Sequence, residues 1–384
     1  MFEIHDSVQD LQGATATRKL IVSRALEYLD SLAQEANDDE SLQQELATAY
    51  KKIGDIQGNP YSANLGDIDG AMRNYLRAEA LYQALSPVTL SKLDVRRDLT
   101  ALYDRIGEVR LHTSDTKGAL AVFQKSLAMR EQMIAGNPED TAIQRELALS
   151  RMKIGEASQK LGDLKAALES SRAAFTIFES LAAKNPENPK ANRDVMIISN
   201  KIGYISYVAG DLDAALENYR KGLQVAESLA SKDLNNALAQ RDLSISCNNM
   251  GRILFKQAKP IEAEEYFKRS LVVASQLSKN DPKNDLARSD VAYALVRLGA
   301  VQTAAGKFNE ALESQRQALA INQAALAANP KHTFTLSEIG DSYNNIGETL
   351  EKMKDLSGAI ENYRRAAEVR EKMSAADPMD AQYQ

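Results

Sequence analysis

Three histidines, His5, His112 and His332, and one cysteine, Cys247, are the side chains best suited to ligate a metal or attack a substrate. Their spacing supports neither chemistry. The histidines stand far apart, and the chain has no His-Glu-x-x-His and no Cys-x-x-Cys. The chain has 53 aspartates and glutamates, many with lysine or arginine three or four positions on, the pattern of a solvated helix face. Cys247 stands four residues before Gly251, at a position other parts of the chain give to tyrosine, so it reads as a packed thiol. No catalysis, metal or cofactor is expected. What remains is recognition. Asn200, Asn248 and Asn344 recur at one phase, and Asn249 and Asn345 at the next. An asparagine amide both donates and accepts, so such a ladder could pair with the backbone of an extended peptide. The other reading is an exposed helix face whose asparagines serve no purpose.

The phase comes from a longer pattern. Gly155 to Ala167 reads Gly-x₆-Gly-Asp-Leu-x-Ala-Ala, and its glycine–alanine frame returns every 48 residues: Gly203 and Ala215, Gly251 and Ala263, Gly299 and Ala311, Gly347 and Ala359, with Gly107 and Ala119 before it. An earlier copy, Gly54 and Ala71, holds five extra residues. Seven copies at one period are the mark of a solenoid, in which each unit leans on its neighbours. A glycine inside a helix costs ~1 kcal/mol relative to alanine. Its return at one phase implies a close approach between paired helices, with the alanine playing the same part on the second helix.

Composition agrees. The chain is 44% hydrophobic and 26% charged, without tryptophan and rich in helix-favouring residues. A net charge of −6 argues against a nucleic-acid surface. No apolar run is long enough to span a membrane, and the acidic MFEIHDSVQD start is not a signal peptide. A cytoplasmic location is expected, or an extracytoplasmic one for the arm of a membrane-anchored kinase.

In order, residues 1–16 are a leader of poor periodicity. Residues 17–40 hold one helix, Arg18 to Ala36, in the register of the second half of a repeat. Residues 41–384 form the solenoid. Asn-Pro or Asp-Pro punctuates the series at Asn137, Asn185, Asp281, Asn329 and Asp377. In the third unit, helices are expected from Thr141 to Leu161 and Leu164 to Lys184, separated by Gly162-Asp163 as C-cap and N-cap. In the first copy, Gln57 to Asp67 replaces the short turn and reads as a tolerated loop insertion. The helix Leu356 to Ser374 carries Ile360, Tyr363, Ala367 and Val369 on faces a further repeat would cover. Fraying there, or end-to-end self-association, is the expectation.

Tyr103-x₃-Gly107, Ala119-x₃-Phe123 and the Gly-Asp turn resemble the tetratricopeptide repeat, with a large residue four before the glycine and an aromatic four after the alanine. Tyr50 and Tyr343 keep the first feature; Tyr75, Tyr219, Phe267 and Tyr363 keep the second. Arg151, Ser199, Cys247, Ser171 and Gln315 depart from it. The resemblance implies an all-α, right-handed solenoid of seven helix pairs with a leading half-repeat, and a non-enzymatic scaffold for a protein or peptide ligand. It also implies that first helices line a concave groove. The groove residues are then Asn200, Lys201, Tyr204 and Tyr207, then Asn248, Asn249 and Arg252, then Tyr293 and Arg297. Members that clamp a terminal carboxylate have lysine, asparagine and lysine where Asn200, Tyr204 and Tyr293 stand, which leaves a generic groove. The N-terminal stretch through ELATAYKKIGDIQGNPYSANLGD further resembles the repeat region of bacterial receptor-like serine/threonine kinases. That supports a second reading, a sensory extension, although no kinase motif is present.

Overall fold

A computed structural model describes residues 15–36, 39–61, 64–328 and 333–376. His5, His332, the leader to residue 14, and the Asn329-Pro330 and Asp377-Pro378 steps lie outside the described residues. Among the described residues all regular structure is helical. A lone helix, α1 (Thr15–Glu35), is followed by α2 (Glu40–Gly58) and α3 (Ile68–Ala84), a one-turn α4 (Pro87–Leu90), then α5 (Leu93–His112) and α6 (Thr116–Gly136), and α7 (Thr141–Lys160) and α8 (Leu164–Lys184). The series continues with α9 (Pro189–Val208) and α10 (Leu212–Lys232), α11 (Ala237–Lys256) and α12 (Pro260–Asn280), α13 (Asp285–Ala304) and α14 (Phe308–Ala328), and α15 (Thr333–Lys352) and α16 (Leu356–Ala376). These are seven antiparallel pairs in tandem after one leading helix.

Short polar residues set the helix starts. Asp115, Asp163 and Asp211 each accept from a backbone N–H three residues on, satisfying a free donor of the first turn. The caps fall three residues after the asparagines of the Asn-Pro steps: Asp140 and Asn188, not Asn137 and Asn185, cap α7 and α9. The turns inside the pairs need a left-handed residue. Gly162, Gly210 and Gly306 supply it at φ +83, +84 and +76. Ser114, Ala258 and Lys354 take the same place without being glycine, at φ 65, 59 and 66.

The frame glycine answers to the aromatic of its own pair. A Cβ on Gly203 would lie 2.7 Å from the Tyr219 ring, and one on Gly251 2.7 Å from the Phe267 ring. Tyr219 and Phe267 are 0% and 1% exposed, and the frame alanines Ala215 and Ala263 are both fully buried. The glycine therefore makes room for a ring that seals the pair. Where the aromatic is lost, smaller contacts replace it: Ser171 over Gly155 and Gln315 over Gly299.

The long turn of the first pair is well tied. Leu65 N donates to Ile56 O at 3.0 Å, Asp67 N to Gln57 O at 2.9 Å, and Gln57 Nε2 to Asp67 Oδ2 at 2.8 Å. At the other end of the series, Ile360, Tyr363 and Ala367 are exposed, but Val369 is not. Val369 packs inward with Ile339 and Met373, in its own pair.

The helices fall into two compact units, Met1–Lys184 and Asn185–Gln384, with no linker composition to mark the division. In the second unit each second helix packs on the next first helix, and the first helices α9, α11, α13 and α15 also reach one another.

Candidate functional site

All nine groove candidates lie on first helices of the second unit. The structure gathers three of them, Tyr204, Tyr207 and Asn249, with Tyr219 around the guanidinium of a fourth, Arg252. Arg252 on α11 sits 5.2 Å from the ring centroids of both Tyr204 and Tyr207 on α9, and 5.7 Å from that of Tyr219 on α10. A cation over an aromatic face is attracted by the ring quadrupole, more strongly where water is excluded. The same guanidinium donates through Nη2 to the Tyr219 hydroxyl at 2.5 Å and to Asn249 Oδ1 at 3.2 Å. Burial pushes the Tyr219 phenol up to about 12, against the pull of Arg252, so it stays a neutral hydroxyl. Arg252 Nε is buried without a hydrogen-bond partner. One repeat on, Arg297 lies 4.8 Å from the Tyr293 ring centroid, and its Nε is likewise buried without a partner.

The asparagines divide. Asn249 belongs to the Arg252 cluster. Asn200 turns between helices: its Nδ2 donates to Ser246 Oγ at 3.2 Å, and its amide fills the space left by Gly222 on α10. Asn248 is buried at 8% exposure, its Oδ1 without a partner. Lys201 is half-buried on α9. Tyr204 is the most open of the tyrosines here, at 40% exposure.

Two sets of residues went unread in the sequence. The first is the hydroxyl of Tyr219, which meets Arg252 while the ring, read only as part of the repeat motif, serves the frame. The second is a ladder of ion pairs near the starts of the first helices. Arg193 Nε and Nη2 meet Asp242 Oδ2 and Oδ1 at 2.5 and 3.1 Å, and Arg241 repeats the geometry on Asp290 at 2.5 and 3.1 Å. Each rung joins one first helix to the next through a bidentate guanidinium–carboxylate fork. Its signal is an arginine ten residues before the frame glycine and an acid nine before the next.

The first unit has a looser rung at the same register, Arg97 Nε 3.6 Å from Glu146 Oε1, and adds a denser cluster. Asp104 is held by Arg130 at 3.0 Å and Lys153 at 3.2 Å, and Lys153 also meets Glu108 at 2.7 Å. Burial alone would raise the Asp104 carboxyl; Lys153 and Arg130 instead hold it below the usual carboxylate range. The carboxylates here are paired within the chain, while Arg130 Nε is buried without a partner. Burial raises the Cys247 thiol to about 11, which fits a packed side chain. Among the described residues no cluster of histidine, cysteine and carboxylates could hold a metal, and no helix is long and apolar enough to cross a membrane.

Known families and structures agree with the helix-pair fold. Tetratricopeptide-repeat profiles match residues 245–281, 291–332 and 340–373. The chain carries tetratricopeptide repeats. No curated protein matches it. Among solved structures, BtubC (BKLC) from P. vanneervenii is similar, with 18% identity, a TM-score of 0.52, and coverage of 66% of this chain and 91% of that one. A signal-transduction ATPase with a tetratricopeptide repeat sensor from Pyrococcus horikoshii has 11% identity and a TM-score of 0.58; it covers 97% of this chain, which spans 50% of that protein. At these identities the likeness is one of fold. The tetratricopeptide repeats matched in sequence include residues 245–256 of α11, with Asn249 and Arg252, and most of α13, which carries Tyr293 and Arg297.

Proposed function

We propose that the chain is a non-catalytic interaction scaffold. The first-helix face of its second unit holds an extended, acidic segment of a partner protein. The observation that carries this reading is the pair Arg252 and Arg297. Each guanidinium is stacked on tyrosine, and each keeps a buried Nε without a partner. A cation stacked in this way is fixed in place before any ligand arrives, so less entropy is lost when a carboxylate joins it. Asn249 stands beside Arg252 to fix a ligand amide, and the open face of Tyr204 takes an apolar side chain.

The test is selection from a random peptide library displayed against the full chain. Enriched peptides should carry aspartate or glutamate at recurrent positions, and should be lost when selection is repeated on Arg297→Ala. Enrichment of neutral or basic peptides, retained by Arg297→Ala, would refute the reading.

A further inference from the structure

The arginine–carboxylate ladder of the second unit breaks at one rung. Arg193 meets Asp242, and Arg241 meets Asp290. At the next step the same two positions hold Ser289 and Glu338. A hydroxyl on a single carbon replaces a guanidinium, while the acid is kept. Glu338 is half-buried. Among the described residues no lysine or arginine lies within ion-pair distance of it; Asp341 repels its charge and Arg297 attracts it from further off.

A cavity of ≈ 500 Å³ opens beside this rung, between the end of α14 and the starts of α13 and α15; Glu338 does not line it but follows Phe334, which does, by one turn of α15. Ser289 lines it, with Leu286, Ile321, Ala325 and Phe334 as apolar wall. Two repeats earlier the equivalent cavity is lined by the rung itself, Arg193 and Asp242. Asn322 also lines the open one. It is only 6% exposed, and its Nδ2 has no hydrogen-bond partner, which is costly for a buried donor. The rim cation, Arg288, is turned to Asp285 and the Pro282 carbonyl, so its charge is already met.

We propose that this cavity receives an arginine side chain from a partner protein, whose guanidinium completes the broken rung on Glu338. The aliphatic stem lies on Phe334, Leu286 and Ile321, and Asn322 Nδ2 donates to a carbonyl of the partner backbone. Arginine suits the place better than lysine because the intact rungs are bidentate forks, which an ammonium cannot reproduce. The site is distinct from the Arg252 and Arg297 face and stands or falls separately, since it selects a base where that face selects an acid.

The test uses the full chain, with N-acetyl-arginine methylamide as probe and its neutral citrulline counterpart as control, followed by the methyl resonances of Leu286 and Ile321. The arginine probe should shift these methyls saturably. Citrulline should bind about tenfold more weakly or worse, the loss of one charge-assisted hydrogen bond. Glu338→Gln should weaken the arginine probe as much. Ser289→Arg should supply the rung from within, raise the melting temperature and abolish the response. Equal responses to arginine and citrulline, or undiminished binding in Glu338→Gln or Ser289→Arg, would overturn the proposal. Should Ser289→Arg fail to fold, Glu338→Gln decides alone.

Discussion

At the scale of the residue, backbone conformation and burial make the sharpest statements. Ala258 holds a left-handed φ of 59 where Gly162, Gly210 and Gly306 stand in other repeats. A Cβ in that region costs about 1–2 kcal/mol, partly offset by the extra freedom glycine has when unfolded. Ala258→Gly should therefore stabilise the chain by about 1 kcal/mol, read as a higher urea midpoint. Gly210→Ala should move it the other way. Cys247 is fully buried, with its thiol raised to about 11, so iodoacetamide should alkylate it only as fast as the second unit opens. Rapid labelling of the folded protein would contradict its packed position. Glu338 adds a pH signature. Burial, and then Asp341, raise its carboxyl above the ordinary value of 4.5, so its ionisation costs stability as pH rises past that value. The gain in melting temperature from Glu338→Gln should appear at neutral pH and fade below the ordinary carboxylate range.

At the scale of the element, the helix pair is the unit of both packing and legibility. The glycine–alanine frame, the Gly-Asp turn and the helix spans could be read in the sequence because each has a local cause. The observed α8 has the expected bounds, Leu164–Lys184, and α7 ends one residue early. What closes over the glycine could be read only in part. The aromatic four after the alanine was visible as a motif, but its place against the glycine requires the pair to be folded. Gly203→Leu should drive a side chain into the Tyr219 ring, 2.7 Å from the Cβ position, and destabilise the pair by about 1–3 kcal/mol or more. An unchanged thermal transition would remove the close-approach argument. The Arg252 cluster was legible as a list of first-helix residues, not as a cluster, because Tyr219 enters from the second helix. Asn200 and Asn248 shared a phase with exposed positions, but a period cannot tell an outward amide from one turned between helices. The ladder was missed because its rungs are one repeat and one residue apart. In the first unit, Asp104→Asn should cost about 3–5 kcal/mol, since it leaves Arg130 buried against a neutral amide. Because the Asp104 carboxyl is held low, its contribution should be fully present at neutral pH and be lost as pH falls through its folded value.

At the scale of the whole molecule, one repeat supports two kinds of surface. The first unit pairs its first-helix charges Asp104, Glu108 and Lys153 with one another and with Arg130 of the second helix α6. A buried arginine Nε without a partner occurs in both units, at Arg97 and Arg130 in the first and at Arg252 and Arg297 in the second; the second unit's two are also stacked on tyrosine, and the proposed binding face rests on that combination rather than on the shared helical frame. Function in such a chain lies in side chains the frame does not dictate, which is why period and fold were plain in the sequence and the ligand's charge was not. The central claim is that Arg252 and Arg297 together receive an acidic segment. It is tested most directly by fluorescence anisotropy of a selected acidic peptide against the full chain, Arg252→Ala, Arg297→Ala and the double variant, each checked for an unchanged melting temperature. The account predicts that each single variant weakens binding about tenfold or more, as loss of a charge-assisted contact should. It also predicts that added salt weakens the wild type more than the double variant, and that Glu217→Ala, on the second helix, has no effect. Binding that survives the double variant, or that falls equally with Glu217→Ala, would contradict it.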